Sequence, residues 1–195
     1  MVLFKWVYGL LINMLVLNHG CSQSLQKDDQ LICWQEGRKL DWSDFQGTPD
    51  TIITHIGTLA VAATSAPIRY SLNQKGNVIS IKVKVEFLKN ISWTTDTAKS
   101  VLIHEQLHFD IAELYGRKIR EKVANLNKET NIESIHKEVK RLIKERNDTE
   151  DQYDIRTGHG IIDFVQQEWA DKIAKELEKL KEYATSAEDC EESFY

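Results

Sequence analysis

The sequence predicts an α+β fold, with an N-terminal antiparallel sheet and a helical half after it. Two observations carry this. Ile79, Ile81, Val83, Val85 and Phe87 alternate with Ser80, Lys82, Lys84 and Glu86. A period of two gives one buried face and one wet face, as in an antiparallel sheet. Further on, Ile103, Leu107, Ile111 and Leu114 recur at helical spacing. Strands first and helices second is the order of α+β, not of alternating α/β.

The elements follow in order. Lys5 is the only charge in residues 1–20, and an apolar run extends from Trp6 to Leu17. The run is too short to span a bilayer but suits the core of a signal peptide, assigned to residues 1–21. Two processing routes stay open. Cleavage after Ser22 or Ser24 would release a soluble protein. Cys21 would instead be the lipidated first residue of a lipoprotein, although Asn18 stands where such signals carry leucine. Either route exports the chain, to the periplasm, the outer envelope or the medium. Residues 22–30 are polar and read as a linker. A single domain is expected over 31–183, and an acidic flexible tail over 184–195.

Within the domain, Leu40, Trp42 and Phe45 precede the turn-rich Gly47-Thr48-Pro49-Asp50. Leu59–Ala63 is small and apolar, Ile68–Leu72 reads as extended, and 73–77 as a hairpin turn. The strand 79–87 follows and offers an edge to an extended peptide. A helix is expected from about residue 96 to 125, capped by Thr94 or Thr95 with Asp96 in its first turn. A second is marked by Ile132, Ile135, Val139, Leu142 and Ile143. A third runs from about 161 to 183, with Val165, Trp169, Ile173, Leu177 and Leu180 inward.

A chain of 195 residues can bury a core without disulfides. The net charge is -5, and lysines and arginines alternate with glutamates on solvated helix faces, which argues against nucleic acid as a partner. Three cysteines, Cys21, Cys33 and Cys190, have no zinc-ligand spacing. If Cys21 is lipidated, Cys33 and Cys190 remain as a pair that would tie the two ends together.

The chemistry sits at His104-Glu105-Gln106-Leu107-His108. Two histidines four apart share a helix face and can aim two imidazoles at one ion. Glu105 lies beside the first of them, where a carboxylate can deprotonate a water. By composition the pattern arises by chance on the order of once per hundred such sequences, so its place in a helix just after a strand adds weight. A catalytic zinc needs a third protein ligand and an open position. Histidine at position 114 would complete one known pattern, but Leu114 stands there. Glu129 lies near the distance of another, in a polar stretch. His159, between Gly158 and Gly160, is the preferred third ligand, because flanking glycines let a loop bring an imidazole close to a metal. His19, His55 and His136 are less attractive, and Glu113 is a fallback. Tyr153 is assigned a catalytic role as an oxyanion donor, with Tyr115 and Arg156 as alternatives. Asp154 could orient an imidazole or cap a turn.

At these residues the sequence resembles a bacterial domain family of unknown function, whose members are described as predicted secreted zinc-dependent proteases. The resemblance rests on residues 40–47 (LDWSDFQG), 101–113 (VLIHEQLHFDIAE), Tyr153-Asp154, 157–160 (TGHG) and Trp169. That family has glycine where Leu107 stands, a position that faces away from the metal in this reading. The resemblance implies a zincin-like fold with His104 and His108 as zinc ligands and Glu105 as base, and it favours His159. It supplies no substrate. The expected function is a zinc metallopeptidase acting on peptide or protein outside the cytoplasm, with attachment to a membrane through Cys21 if that residue is lipidated. The rivals are a non-catalytic zinc-binding envelope protein and a zinc amidase acting on cell-wall material.

Overall fold

A computed structural model of the chain describes residues 30–53, 56–76, 78–125 and 131–191. The signal, residues 22–29 of the linker, residues 192–195 of the tail, Cys21, His19, His55 and Glu129 lie outside the described residues.

The alternating stretch forms β4, Val78–Leu88. It pairs antiparallel with β3, Ile68–Lys75, in the register Leu72↔Ile81 and Tyr70↔Val83. The hairpin is tighter than expected. Asn73, Gln74 and Lys75 continue the strand, and Gly76 turns it at a φ of 62°. β1, Leu31–Cys33, pairs with Glu86–Leu88, so the sheet order is β1-β4-β3. β4 is thus the central strand, and its C-terminal half is not the free edge expected for a peptide. Of Leu59–Ala63 only Ala62–Ala63 is strand (β2), paired with Trp93–Thr94 (β5). Ahead of them, Asp41 and Asp44 form a reciprocal capping box around Trp42–Asp44, and Arg38 pairs with the buried Asp44 at 2.7 Å.

The helical stretch forms α1, Lys99–Ala124. It starts later than the threonines suggested. Thr94 belongs to β5, and Asp96 accepts from Ala98 N at 2.8 Å in the turn before the helix. α2 spans Ile132–Thr157 and α3 spans Asp163–Lys179. Among the described residues no helix is long and apolar enough to cross a membrane.

α1 runs between two cores. Leu107, Ile111, Leu114 and Ile119 pack with Val83 of β4, with Ile135, Val139 and Leu142 of α2, and with Ile173 of α3. Phe109 and Ala112 pack on its other side with Ile32, Trp34, Phe45, Val85 and Phe87. Ile103 is 44% exposed, so the inward stripe begins one turn later than its spacing implied. Gly116 permits the close approach of helix to sheet. A Cβ there would stand 2.8 Å from Val85 Cγ2.

Two expectations are corrected together. The second face of β4 is not wet at Lys84 and Glu86, which are buried. The stretch 184–191 is not a loose tail. After a turn at Lys181–Tyr183, Thr185 is buried against α1, and a short α4, Ala187–Glu191, packs on β4. Lys84 Nζ donates to Cys190 O at 3.3 Å, and Glu86 meets Arg69 at 3.4 Å. Cys33 and Cys190 are disulfide-bonded, with Cα atoms 5.7 Å apart. Glu113, fully buried on α1, takes Arg117 Nε at 3.0 Å, Arg120 at 3.2 Å and Thr185 Oγ1 at 3.0 Å. Its oxygens are committed to fastening this segment, which leaves Glu113 structural.

Candidate metal centre

His104 and His108 sit one turn apart on α1, and their Nε2 atoms are 3.3 Å from each other. The atom completing the group comes from α2. Asp154 Oδ1 lies 3.1 Å from His104 Nε2 and 3.0 Å from His108 Nε2. Among the described residues, these three bring together ligand atoms suited to a metal ion. The triangle can be tested against chemistry. Tetrahedral zinc with bonds of about 2.0–2.1 Å places neighbouring donor atoms about 3.3 Å apart. The edges here match that to within about 0.3 Å, and two imidazoles with one carboxylate is a donor set zinc favours.

Both histidines are held from behind. His104 Nδ1 meets Gln166 Oε1 at 3.2 Å, and Gln166 Nε2 donates to Ser100 O at 3.2 Å. The Tyr153 ring stacks on His104 with centroids 4.6 Å apart. Tyr153 is fully buried, and its hydroxyl donates to the same Gln166 oxygen at 3.4 Å. Burial, reinforced by the charges of Glu105 and Asp154, pushes that hydroxyl well above the usual tyrosine range, so it stays a neutral donor. On His108, Nδ1 faces Glu150 Oε1 at 3.9 Å.

The charges interact strongly. Burial opposes a proton on His108, but contacts with Asp154 and Glu150 and the charge of Glu105 outweigh it and raise the pKa to about 10. Burial likewise pushes Asp154 up, while hydrogen bonds from the two histidines overcome it and hold the carboxyl well below its ordinary range. Glu105 is buried, and its Oε2 has no hydrogen-bond partner among the described residues. An orphaned buried acceptor costs about 1–3 kcal/mol, which marks the atom as awaiting a partner.

The structure sorts the expected residues. His104, Glu105 and His108 lie together as expected. Asp154, expected to orient or cap, brings its oxygen into the ligand triangle. Tyr153 and Asp154 belong to the last turns of α2, not to the loop. Gly158 ends that helix at φ 58°, and His159 N donates to Asp154 O at 2.9 Å. His159, expected as third ligand, adopts φ 54°, and its Nδ1 lies 3.8 Å from Asp154 Oδ2, the oxygen turned from the triangle. Such a conformation is uncommon for a residue other than glycine and typically marks a constrained site. Gly160 lies directly on His104, where a Cβ would stand 3.1 Å from the ring. Tyr115 bonds Thr149 at 2.8 Å, His136 faces Tyr70 at 3.2 Å, and Arg156 is exposed. Glu150 and Gln166 were missed. A signal was available for Glu150, which sits four residues before Asp154 and so shares its helix face.

Large apolar side chains are exposed on the segments beside the ligands: Ile103 next to His104, Ile155 next to Asp154, and Ile161 and Phe164 just after His159.

Residues 54–160, more than half of the chain, match the family described as a bacterial protein of unknown function, DUF922. The chain belongs to that family. The match runs from just before β2 through Gly160 and so contains His104, Glu105, His108, Asp154 and His159. The DUF922 description names no activity. No curated protein and no solved structure matches this DUF922 chain.

Proposed function

We propose that this DUF922 protein is a zinc-dependent peptidase that works outside the cytoplasm. The observation that carries the reading is the convergence of His104 Nε2, His108 Nε2 and Asp154 Oδ1 beside the orphaned Glu105 Oε2. Three protein ligands leave one coordination position for chemistry, whereas a structural site closes with four.

His104, His108 and Asp154 would hold the ion. When bound, zinc would supply Lewis acidity, polarising an acyl oxygen and bringing the pKa of a water to about 7. Glu105 accepts the proton of the attacking water at Oε2 and returns it to the departing amine. Gln166 and Tyr153 keep His104 in place. Tyr153 is assigned this positioning part, because its hydroxyl is committed to Gln166. His159 steadies Asp154 from its second oxygen.

The exposed Ile103, Ile155, Ile161 and Phe164 favour a substrate that presents apolar side chains. That supports a peptide over a cell-wall glycan amide. The Cys33–Cys190 disulfide supports an oxidising compartment, in line with the signal-like N-terminus, where a lipidated Cys21 would attach the protein to a membrane. The rival is a zinc-binding envelope protein without turnover.

Replacing Glu105 with Gln tests the reading. Hydrolysis of unfolded protein substrates is expected to fall by at least 10³-fold while zinc stays bound stoichiometrically. Full activity in that variant sinks the mechanism, and a wild type that binds zinc but cleaves no peptide favours the rival.

A further inference from the structure

Glu150 is a largely buried carboxylate to which the hydrolytic reading gives no task. It lies on α2 one turn before Asp154, so both carboxylates face α1. They meet the same histidine at different nitrogens. Asp154 Oδ1 is 3.0 Å from His108 Nε2, and Glu150 Oε1 is 3.9 Å from His108 Nδ1. Glu150 Oε1 is buried and makes no hydrogen bond of good geometry among the described residues, although Arg146 stands 2.9 Å away as an ion-pair partner. A small rotation of the Glu150 side chain brings the oxygen onto the Nδ1 proton.

The rest of the contact explains why the carboxylate is there. Arg146 also donates to Ala66 O at 3.0 Å. Two residues earlier, Thr64 Oγ1 donates to Glu105 O at 3.3 Å. The Arg146–Glu150 pair therefore joins the outer nitrogen of His108 to the connection between β2 and β3, which lies against the Glu105 backbone. His104 is treated differently, since its Nδ1 faces the neutral amide oxygen of Gln166. A neutral acceptor fixes ring orientation and tautomer, whereas a carboxylate does both and makes the imidazole a stronger donor to a metal.

We propose that Glu150 is the residue that positions His108 in the metal centre. Its carboxylate fixes His108 with the proton on Nδ1 and Nε2 directed at the ion, while Arg146 fixes Glu150. This rests on the zinc reading given above. It differs from the plain structural alternative, in which Arg146 and Glu150 form only a pair along one helix.

The test compares Glu150→Gln and Glu150→Ala with wild type. Zinc affinity is read by competition with a chromophoric chelator, the visible spectrum with cobalt(II) reports the ligand field, and thermal melts follow the metal-free proteins. Zinc affinity is expected to fall about 10–100-fold in the Ala variant and less in the Gln variant, which keeps an acceptor for Nδ1. The cobalt bands are expected to shift in both, and the metal-free Gln variant to melt with wild type. Wild-type zinc affinity and an unshifted cobalt spectrum in the Gln and Ala variants overturn the proposal. So does a loss of affinity that simply tracks a lower metal-free melting temperature. A wild type that takes up no zinc overturns the zinc reading itself, and the role of Glu150 falls with it.

Discussion

Asp154 Oδ1 stands 3.0 Å from His108 Nε2, although 46 residues separate the two in sequence. The contact exists because α2 runs on to Thr157 and packs its last turns against the HExxH turn of α1. It makes Asp154, more than His159, the third arm of the site. In Asp154→Ala, zinc affinity is expected to drop at least 100-fold. In His159→Ala, which removes a neighbour of the carboxylate, the expected drop is about 10-fold. Metal content after dialysis against a buffered zinc series decides it. The opposite order would make His159 the ligand.

The reason Asp154 was not legible is local. Ile132 to Ile143 announces a helix, but beyond it the sequence reads KERNDTEDQYDIRT, with little apolar periodicity. That part of α2 is held by pairs one turn apart, Lys144–Asp148 at 2.7 Å and Arg146–Glu150 at 2.9 Å, and by the single buried ring of Tyr153. Helix there is visible only once the packing is known. The opposite case is β4, whose alternation stated its inward face outright. Its outer face misled, because Lys84 reaches Cys190 O, more than one hundred residues downstream, and no local pattern connects the two. The helix carrying His104, Glu105 and His108 was legible because the two histidines, the carboxylate and the apolar stripe recur at one helical period.

The metal-free protein carries a pH signature. Burial opposes a proton on His108, but the contacts with Asp154 and Glu150 raise its pKa from 6.5 to about 10 in the folded protein. A raised pKa means stability that is fully present below 6.5 and is lost as pH rises through about 10. Asp154 has the opposite sign. Its lowered pKa contributes above 3.8 and is lost as pH falls. Chelator-treated protein should thus be most stable between these limits, and its melting temperature should decline between pH 7 and 10. In His108→Gln the alkaline decline should shrink. An identical decline in that variant would place its origin elsewhere. Zinc must displace the proton, so zinc affinity rises with pH over the same interval.

The C-terminal segment is expected to matter for stability more than for the site. Cys33–Cys190 closes a loop of 157 residues, for which loop entropy allows about 5 kcal/mol at most. The paired Cys33→Ser and Cys190→Ser variant is expected to lose about 2–5 kcal/mol in urea unfolding. Glu113→Ala should cost about 3–5 kcal/mol, because Arg117 and Arg120 would be left buried without their carboxylate. Folded fractions of both variants should still bind zinc. A larger loss from exposed pairs such as Lys181–Glu178 would contradict this ranking.

Two glycines separate stability from the site. Alanine at Gly116 would place a Cβ 2.8 Å from Val85 Cγ2 and force α1 and β4 apart. Better helix propensity returns about 1 kcal/mol, while overpacking costs about 1–3 kcal/mol, so a modest net loss of stability is expected with zinc binding intact. Alanine at Gly160 meets a different neighbour. Its φ of 81° is already hard for a side chain, and the new Cβ would press on the His104 ring at 3.1 Å and on Gln166 Oε1 at 3.3 Å. The ring cannot retreat freely, because Tyr153 stacks on it at 4.6 Å. His104 Nε2 must then leave its place in the triangle, and zinc affinity should fall at least 10-fold beyond any change in melting temperature. If Gly160→Ala keeps wild-type affinity, the grip of this loop on His104 is not what fixes the ligand, and Gln166 with Tyr153 must suffice.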